Sequence, residues 1–490
     1  MLRFEVKNFG PIAQGAVDLK PLTIFTGKNN SGKSYMAMLI YAVLRTQTSR
    51  HFSTWPLPFY DEEEMQYFLP YGIIKSWPGW REWVKKAMVG STSDKIRNIA
   101  LPPDSVLGRI KELTLETTAK LSDLFAKALS HELQRCYATK VSELKCQREP
   151  EDGLFLSLKC QDLCLRLSCS NGTLKALKPE ATITDELVQK ALEETVKKFE
   201  QSPIRIRDTK QFSDSVLTNT IFHIYIGLAR ELWLRTYYLP AARSGILQSH
   251  KALSSYIVSR SPLAGIEDME IPKFSGVIAD FLSSLQRLEK RKLGKLNELA
   301  KYLESEVTKG DIEFKVDEHH YPEIFYGTHV GRFALHRTSS MVSEVAPLVL
   351  FLRYIVNPGD IIIIEEPEAH LHPDNQRKMA KALVGLVRSK VKVIITTHSD
   401  YLVQQLSNFV ALSKLGKDDR VKFGYQSEEY LDADDVGAYL FKFDEKSGGS
   451  VIQPIEVKPE VGIDTEEFGK VAEELYEQSV NLQEKVLRDK

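Results

Sequence analysis

An eight-residue loop near the start of the chain constrains the fold most strongly. Residues 27–34 read Gly-Lys-Asn-Asn-Ser-Gly-Lys-Ser; they follow the apolar run 22–25 and precede the helix-like stretch 35–40. Glycines in such a loop let backbone N–H groups approach phosphate oxygens, and a helix N-terminus behind it favours their negative charge. The strand, loop and helix context makes a chance match improbable, so the sequence predicts an α/β fold of the P-loop type with a nucleoside triphosphate site.

The loop also predicts individual roles. Lys33 is expected to reach the β- and γ-phosphates and to serve as a catalytic residue, and the Ser34 hydroxyl is expected to bind Mg²⁺. The other positions that we expect to bind the nucleotide are Gly27, Asn29, Asn30, Ser31 and Gly32.

A second group of residues, more than three hundred positions later, adds the chemistry of hydrolysis. Four isoleucines at 361–364 predict a strand buried on both faces of a parallel sheet. The next two residues point to opposite sides, so Glu365 is expected to hold Mg²⁺ and Glu366 the attacking water. The alternative is an acidic loop that caps a helix beginning near Pro373 and Asp374, but it leaves the Glu pair unexplained.

A third strand is predicted at 391–397, and it ends at His398. From the end of a neighbouring strand, this histidine could bind a γ-phosphate, which makes it a catalytic candidate. A single histidine after a strand is more often a polar residue with ordinary hydrogen-bond partners. Its position about thirty residues after the Glu pair favours the catalytic interpretation.

Together these segments resemble the ABC-type ATPase head of the RecF/SMC-like class. Within it, they are similar to the overcoming-lysogenisation-defect (OLD) family and to standalone anti-phage ATPases such as those of PARIS and Septu. The resemblance covers residues 1–45 and 310–490, with a strand and turn at 6–12 and a Walker B and D-loop unit at 365–373. It implies ATP and Mg²⁺ as ligands, and a complete site formed by a homodimer or a higher homo-oligomer.

The resemblance also implies a signature segment, which contacts the nucleotide of the opposing subunit. Residues 338–344 occupy its place, and Ser340 is the candidate for the contact. Met341 stands where relatives usually carry glycine. The alternative is that Ser340 is an ordinary N-cap of the apolar helix predicted at 345–356.

The long middle of the chain, residues 46–309, is predicted to be a mainly helical insertion that carries a small β-hairpin and serves dimerisation or partner binding. Apolar residues recur at helical spacing over 277–307, which indicates a core helix or, alternatively, a dimer-forming arm. Arg243 follows a predicted strand. It could bind phosphate or a carboxylate of a partner, or be a solvated arginine.

Composition limits the class of protein without deciding its partners. The 490 residues carry a net charge of −1, which argues against a wholly basic nucleic-acid protein but leaves DNA binding possible. The most apolar helix candidate, 216–234, is interrupted by His223, Arg230 and Glu231, so we expect no membrane span. No N-terminal signal is visible, and a cytoplasmic location is expected.

The resemblance favours a role as the sensor or regulatory ATPase of an anti-phage system, controlling a separate nuclease or toxin encoded nearby. The alternative is a DNA-repair or chromosome-maintenance clamp of the RecF/SMC type. A transporter motor is less favoured because a Leu-Ser-Gly-Gly-Gln signature is missing. The ninety or so residues after His398 are too few for the nuclease domain of OLD proteins, so no intrinsic nuclease is expected.

Overall fold

The computed structural model describes residues 1–47, 78–88, 101–145, 153–170, 172–201, 209–249, 274–288, 293–316, 322–464 and 466–488. Its strands are β1 Arg3–Phe9, β2 Ile12–Asp18, β3 Leu22–Gly27, β4 Phe155–Lys159, β5 Leu163–Ser170, β6 Thr173–Ala176, β7 Glu180–Ala181, β8 Thr236–Leu239, β9 Asp311–Val316, β10 Pro322–Thr328, β11 Gly331–Ala334, β12 Ile361–Glu365, β13 Lys392–Thr396, β14 Val436–Asp444, β15 Gly449–Ile455, β16 Val457–Lys458 and β17 Gly462–Ile463.

The helices are α1 Lys33–Thr46, α2 Pro78–Met88, α3 Asp104–Tyr137, α4 Asp185–Gln201, α5 Thr209–Leu228, α6 Gly276–Gln286, α7 Asn297–Tyr302, α8 Ser340–Tyr354, α9 Pro373–Arg388, α10 Asp400–Ala411, α11 Lys417–Lys422 and α12 Glu466–Arg488. A π-helical segment, Leu303–Thr308, continues α7. Among the helices described, none combines the length and apolar character needed to cross a membrane.

The chain divides into two compact units, one of residues 1–18 and 42–234 and the other of residues 19–41 and 235–490. In the first unit, β1 pairs antiparallel with both β2 and β4, and β5 and β6 extend the sheet beyond β4. The predicted hairpin is therefore β4 and β5, and it shares a sheet with the first strand of the chain. The predicted domain boundaries at 45 and 309 stay a prediction.

The second unit has a mainly parallel sheet. Strand β3 pairs parallel with β13 and β14, β13 with β12, and β12 with β8, while β15 pairs antiparallel with β14. Every residue of β12 is buried, as expected for a strand covered on both faces. Burial of each isoleucine side chain contributes about 1.5–3 kcal/mol. The carboxyl ends of β3, β12, β13 and β8 lie at the same edge of this sheet, where ligands bind in such folds.

The predicted long helix over 277–307 is wrong. Helix α6 ends at Gln286 and α7 begins at Asn297, with Gly294 between them. The Gly294 amide donates to the carbonyl of Arg353 at 2.8 Å, and a Cβ there would lie 3.1 Å from the same oxygen. Gly294 therefore lies directly against the backbone of α8. The apolar residues of α6 and α7 belong to the hydrophobic core of the second unit. They therefore pack as core residues, as the first interpretation predicted, and do not form a dimer-forming arm.

Candidate functional site

The loop at residues 27–34, called the phosphate loop below, has a backbone conformation that depends on its glycines. Gly27 ends β3 with φ +134°, and Gly32 has φ +98°. A Cβ at Gly27 would lie 2.3 Å from the carbonyl oxygen of Phe441 on β14, so a side chain cannot fit there. Asn30 also has a positive φ, +60°, a region that Asn tolerates better than most residues. The loop is thus bent into a cradle against the sheet edge, with α1 beginning directly after Gly32.

Lys33 lies inside this cradle. Its Nζ donates to the carbonyls of Gly27 at 2.9 Å and Lys28 at 2.8 Å, and only 5% of the side chain is exposed. Burial lowers the pKa of Lys33 to about 8, against the opposing effect of the charges on Glu366 and Glu368. A buried amine aimed at the inside of a loop suits a phosphate ligand, because phosphate would supply the missing negative charge.

The remaining loop residues divide by exposure. Ser31 and Gly32 are buried, whereas Asn29, Asn30 and Ser34 are exposed. Mg²⁺ is commonly held by one or two protein ligands together with phosphate oxygens and water. The hydroxyl of Ser34 and the carboxylate of Glu365 are donors of the right chemistry for that ion.

Glu365 and Glu366 have different surroundings. Glu365 is the last residue of β12, and its carboxylate accepts the backbone N–H of Ala241 at 3.0 Å. Glu366 lies just beyond the strand with φ +43°, is partly exposed, and donates its N–H to the carbonyl of Thr396 at 2.9 Å. Because β12 ends at Glu365, the two residues differ in backbone conformation and in hydrogen-bond partners, and the alternation of strand residues does not apply to Glu366. The two roles stay predictions.

Glu368 is a member of the site that the sequence analysis missed. One carboxylate oxygen accepts the Thr397 hydroxyl at 2.7 Å and the His398 N–H at 2.8 Å. The other is buried without a hydrogen-bond partner among the described residues. Burial raises the pKa of Glu368, against the lowering effect of these hydrogen bonds. The available signal was a third glutamate only two residues after the Glu pair.

His398 is partly exposed at the end of β13. Burial lowers the pKa of His398, and the nearby charge of Lys33 lowers it further, so both effects favour the neutral imidazole. Lys33 is thus within electrostatic range of His398 as well as of Glu366 and Glu368. The structure brings together residues that are more than 330 positions apart in the sequence.

Helix α8 begins at Ser340 and ends at Tyr354, so it starts five residues before the helix predicted at 345–356. Ser339, not Ser340, is the N-cap of α8, and its hydroxyl accepts the N–H of Val342 at 3.4 Å. The capping interpretation of Ser340 is therefore wrong; Ser340 is the exposed first residue of the helix. The sulfur of Met341 contacts Nδ2 of Asn375 at 3.4 Å, which joins α8 to the first turn of α9.

Helix α9 begins at Pro373, as the alternative for the Glu run predicted, but its cap is His372, whose Nδ1 accepts the N–H of Asp374 at 3.3 Å.

Arg243 is only 3% exposed, so the solvated interpretation is wrong. Its guanidinium pairs with the carboxylate of Glu344 in the same chain at 3.1 Å.

Comparison with known proteins identifies the family. The model of the AAA ATPase domain family (AAA_15) matches residues 1–403. The chain belongs to this family. The match spans residues 27–34, strand β12 and His398. No curated protein matches the chain significantly.

Solved structures similar to this AAA-family ATPase include three heads of SMC proteins. An SMC head bound to the C-terminal winged-helix domain of ScpA is 10% identical, covers 93% of this chain and 97% of that chain, and has a TM-score of 0.39. The head from Pyrococcus furiosus, bound to the C-terminal domain of ScpA, has 11% identity, coverage of 97% and 100%, and a TM-score of 0.38. The head from Thermotoga maritima is 9% identical, covers 93% of this chain and 98% of that chain, and has a TM-score of 0.33. These TM-scores describe distant similarity, and the family assignment comes from the sequence match.

Proposed function

We propose that this chain is a Mg²⁺-dependent ATP hydrolase of the ABC type, whose complete sites form between two copies of the chain. The observation that carries the proposal is the grouping of Lys33, Glu366 and His398 at one edge of a parallel sheet. Membership of the AAA ATPase domain family supports the same reaction.

The residues have distinct tasks in the proposed reaction. Phosphoryl transfer depends mainly on positioning and on neutralisation of charge. Bound Mg²⁺ would supply part of that neutralisation, with Ser34 and Glu365 as its protein ligands. Lys33 would bind the β- and γ-phosphates, Glu366 would orient the attacking water, and the neutral His398 would hydrogen-bond the γ-phosphate.

Dimerisation is supported by the position of Ser340. It is exposed at the first turn of α8, where the helix N-terminus favours negative charge, and it takes no part in capping that helix. Such a residue suits a contact with the phosphates of a second copy, and two-fold pairing is the simplest closed arrangement.

The active-site assignment is tested by two substitutions. Lys33→Ala should weaken binding of a fluorescent ATP analogue, because it removes a cation from the phosphate site. Glu366→Gln should leave that binding near the wild-type value and stop turnover. A Glu366→Gln protein that hydrolyses ATP at the wild-type rate would refute the role of Glu366.

For the biological role, we propose a cytoplasmic sensor ATPase of an anti-phage system, acting on a separate nuclease or toxin; this rests on the resemblance to OLD, PARIS and Septu ATPases. A DNA-repair or chromosome clamp is the competing role, and the structure does not favour either. Deletion and Glu366→Gln strains separate them. Loss of phage resistance with normal survival of DNA damage supports defence, and the reverse result supports repair.

A further inference from the structure

Arg243 is surrounded by backbone carbonyls at the active-site edge of the sheet. Its guanidinium donates to the carbonyls of Pro240 at 3.0 Å, Glu365 at 2.7 Å, Glu366 at 3.2 Å and Glu344 at 3.0 Å. These acceptors come from three segments: the turn after β8, the end of β12, and α8. One buried side chain therefore holds all three segments together.

Glu344 completes the connection from the side of α8. It is 1% exposed, and its carboxylate accepts the backbone N–H groups of Arg243 at 3.1 Å and Ser244 at 3.0 Å. Ala242, just before them, has φ +53°, an unfavourable conformation for alanine. Residues 243–249 are helical, so the ion pair and the two amide hydrogen bonds hold the start of this helix against α8.

Glu366 is the residue that this arrangement holds in place. Its φ of +43° is disfavoured for a residue with a side chain, so the conformation depends on its surroundings. Thr396 accepts its N–H at 2.9 Å, and Arg243 donates to its carbonyl. The direction in which the Glu366 carboxylate projects is thus determined partly by Arg243.

The same helix carries Ser340 one turn before Glu344. Residues four apart lie on one face of a helix, so a displacement of the exposed first turn also moves Glu344. Burying two charges costs desolvation free energy, and an apolar pair of similar volume often stabilises a fold as well or better. Here the guanidinium directs hydrogen bonds to two successive backbone carbonyls, those of Glu365 and Glu366.

We propose that Arg243 and Glu344 are positioning residues that connect the signature end of α8 to the backbone of Glu366, so that contact at Ser340 sets the orientation of the hydrolytic carboxylate. The inference rests on the proposed function, in which Glu366 orients water and Ser340 contacts the nucleotide of a second copy. It adds a physical link between those two events.

Arg243→Lys is the first test, because lysine keeps the charge but cannot reach four carbonyls. It should lower kcat at least about tenfold while changing the Kd for a fluorescent ATP analogue less than about threefold. Glu344→Gln is a second variant, with a side chain of similar shape, for use if the first does not fold. It should also lower kcat while leaving Kd nearly unchanged, with a smaller loss of kcat than in Arg243→Lys.

The matched control is a second, largely buried ion pair that also involves α8, with Arg353 on that helix and Glu304 in the π-helical segment. Arg353 is paired with Glu304, which is 7% exposed, and Arg353 donates to the carbonyl of Ile312 at 2.7 Å. Arg353→Lys should lower the melting temperature to a similar extent as Arg243→Lys and leave kcat near the wild-type value. A fall in kcat of equal size in both variants would reduce Arg243 to a structural role and overturn the proposal.

A double-mutant cycle tests the connection itself. Ser340→Ala and Arg243→Lys should be non-additive, with the double variant close to the worse single variant, because both interrupt the same link. A double variant whose loss of kcat equals the product of the two single losses would contradict the proposed link.

Normal kcat in Arg243→Lys, with hydrolysis abolished in Glu366→Gln, would overturn the positioning role and leave the proposed function intact. Wild-type protein without ATP turnover would overturn both.

Discussion

A carboxylate oxygen of Glu368 accepts the backbone N–H of His398 at 2.8 Å and so connects the loop after β12 to the end of β13. The same oxygen accepts the Thr397 hydroxyl. The position of the candidate phosphate-binding histidine therefore depends on a glutamate thirty residues earlier in the chain.

Glu368→Ala should be destabilising and should lower kcat. It leaves two buried donors without an acceptor, which costs about 1–3 kcal/mol of unfolding free energy for such groups. Glu368→Gln is the matched control, because its amide oxygen can accept both hydrogen bonds. Chemical denaturation and ATP turnover of the two variants measure the difference. Equal stability and equal turnover for Ala and Gln would show that these hydrogen bonds do not position His398.

Gly27→Ala should abolish nucleotide binding and destabilise the fold. The position combines φ +134° with a Cβ site 2.3 Å from the Phe441 carbonyl. Gly359→Ala isolates the backbone effect, since Gly359 has φ +96° but nothing within 4 Å of its Cβ site. Backbone strain alone is worth about 1–3 kcal/mol, so thermal melting should show a larger loss for Gly27→Ala. If the two variants melt alike and both bind ATP, the close approach to β14 is not essential.

The affinity for ATP should depend on pH above neutrality. Burial holds the pKa of Lys33 near 8 in the free protein, and bound phosphates favour its charged form and raise that pKa. Full affinity is therefore present below pH 8 and is lost as the pH rises through 8. At pH 9, about one Lys33 in ten stays protonated in the free protein, so Kd should be about tenfold higher than at pH 7.

Titration of the wild-type protein with a fluorescent ATP analogue from pH 7 to 9 measures this change. Lys33→Arg provides the control, because arginine keeps its charge over the whole range and its weaker binding should not vary. A wild-type Kd that stays constant to pH 9 would contradict a role for the Lys33 charge in binding.

Local patterns in the sequence predicted the parts of the site that lie on single elements. The phosphate loop, the buried strand of isoleucines and the strand before His398 were all predicted, because strand burial and loop glycines leave signals within ten residues. The fold class follows from the same segments. Helix α8 was predicted at 345–356 but begins at Ser340, and its cap is Ser339 and not the alternative Ser340, because two adjacent serines are equally suitable caps in sequence.

Connections between distant segments were not predictable in this way. Arg243 and Glu344 are 101 positions apart, and no periodicity relates them. Sequence reasoning left open whether Arg243 is solvated or bound, because most of its acceptors are backbone carbonyls that any sequence would provide. The pairing of β4 with β1 likewise depends on tertiary contacts. Gly294 lies against α8, and that contact is invisible in the local sequence.

The central claim, a hydrolytic site shared by two copies of the chain, is tested most directly by mixing two inactive variants. Glu366→Gln removes the water-orienting carboxylate but keeps an intact signature segment. Ser340→Glu keeps the carboxylate but should repel a phosphate in the partner, and an acidic residue in the first turn of a helix does not destabilise it.

Neither variant alone should hydrolyse ATP. In a one-to-one mixture, half of randomly paired dimers would be mixed, each with one complete site, so we predict about a quarter of the wild-type activity per chain. Light scattering checks that the chains form dimers, and co-purification of the untagged variant with a tag on the other follows the exchange of subunits. Mixed dimers without ATP turnover, or full activity of either variant alone, would contradict a composite site.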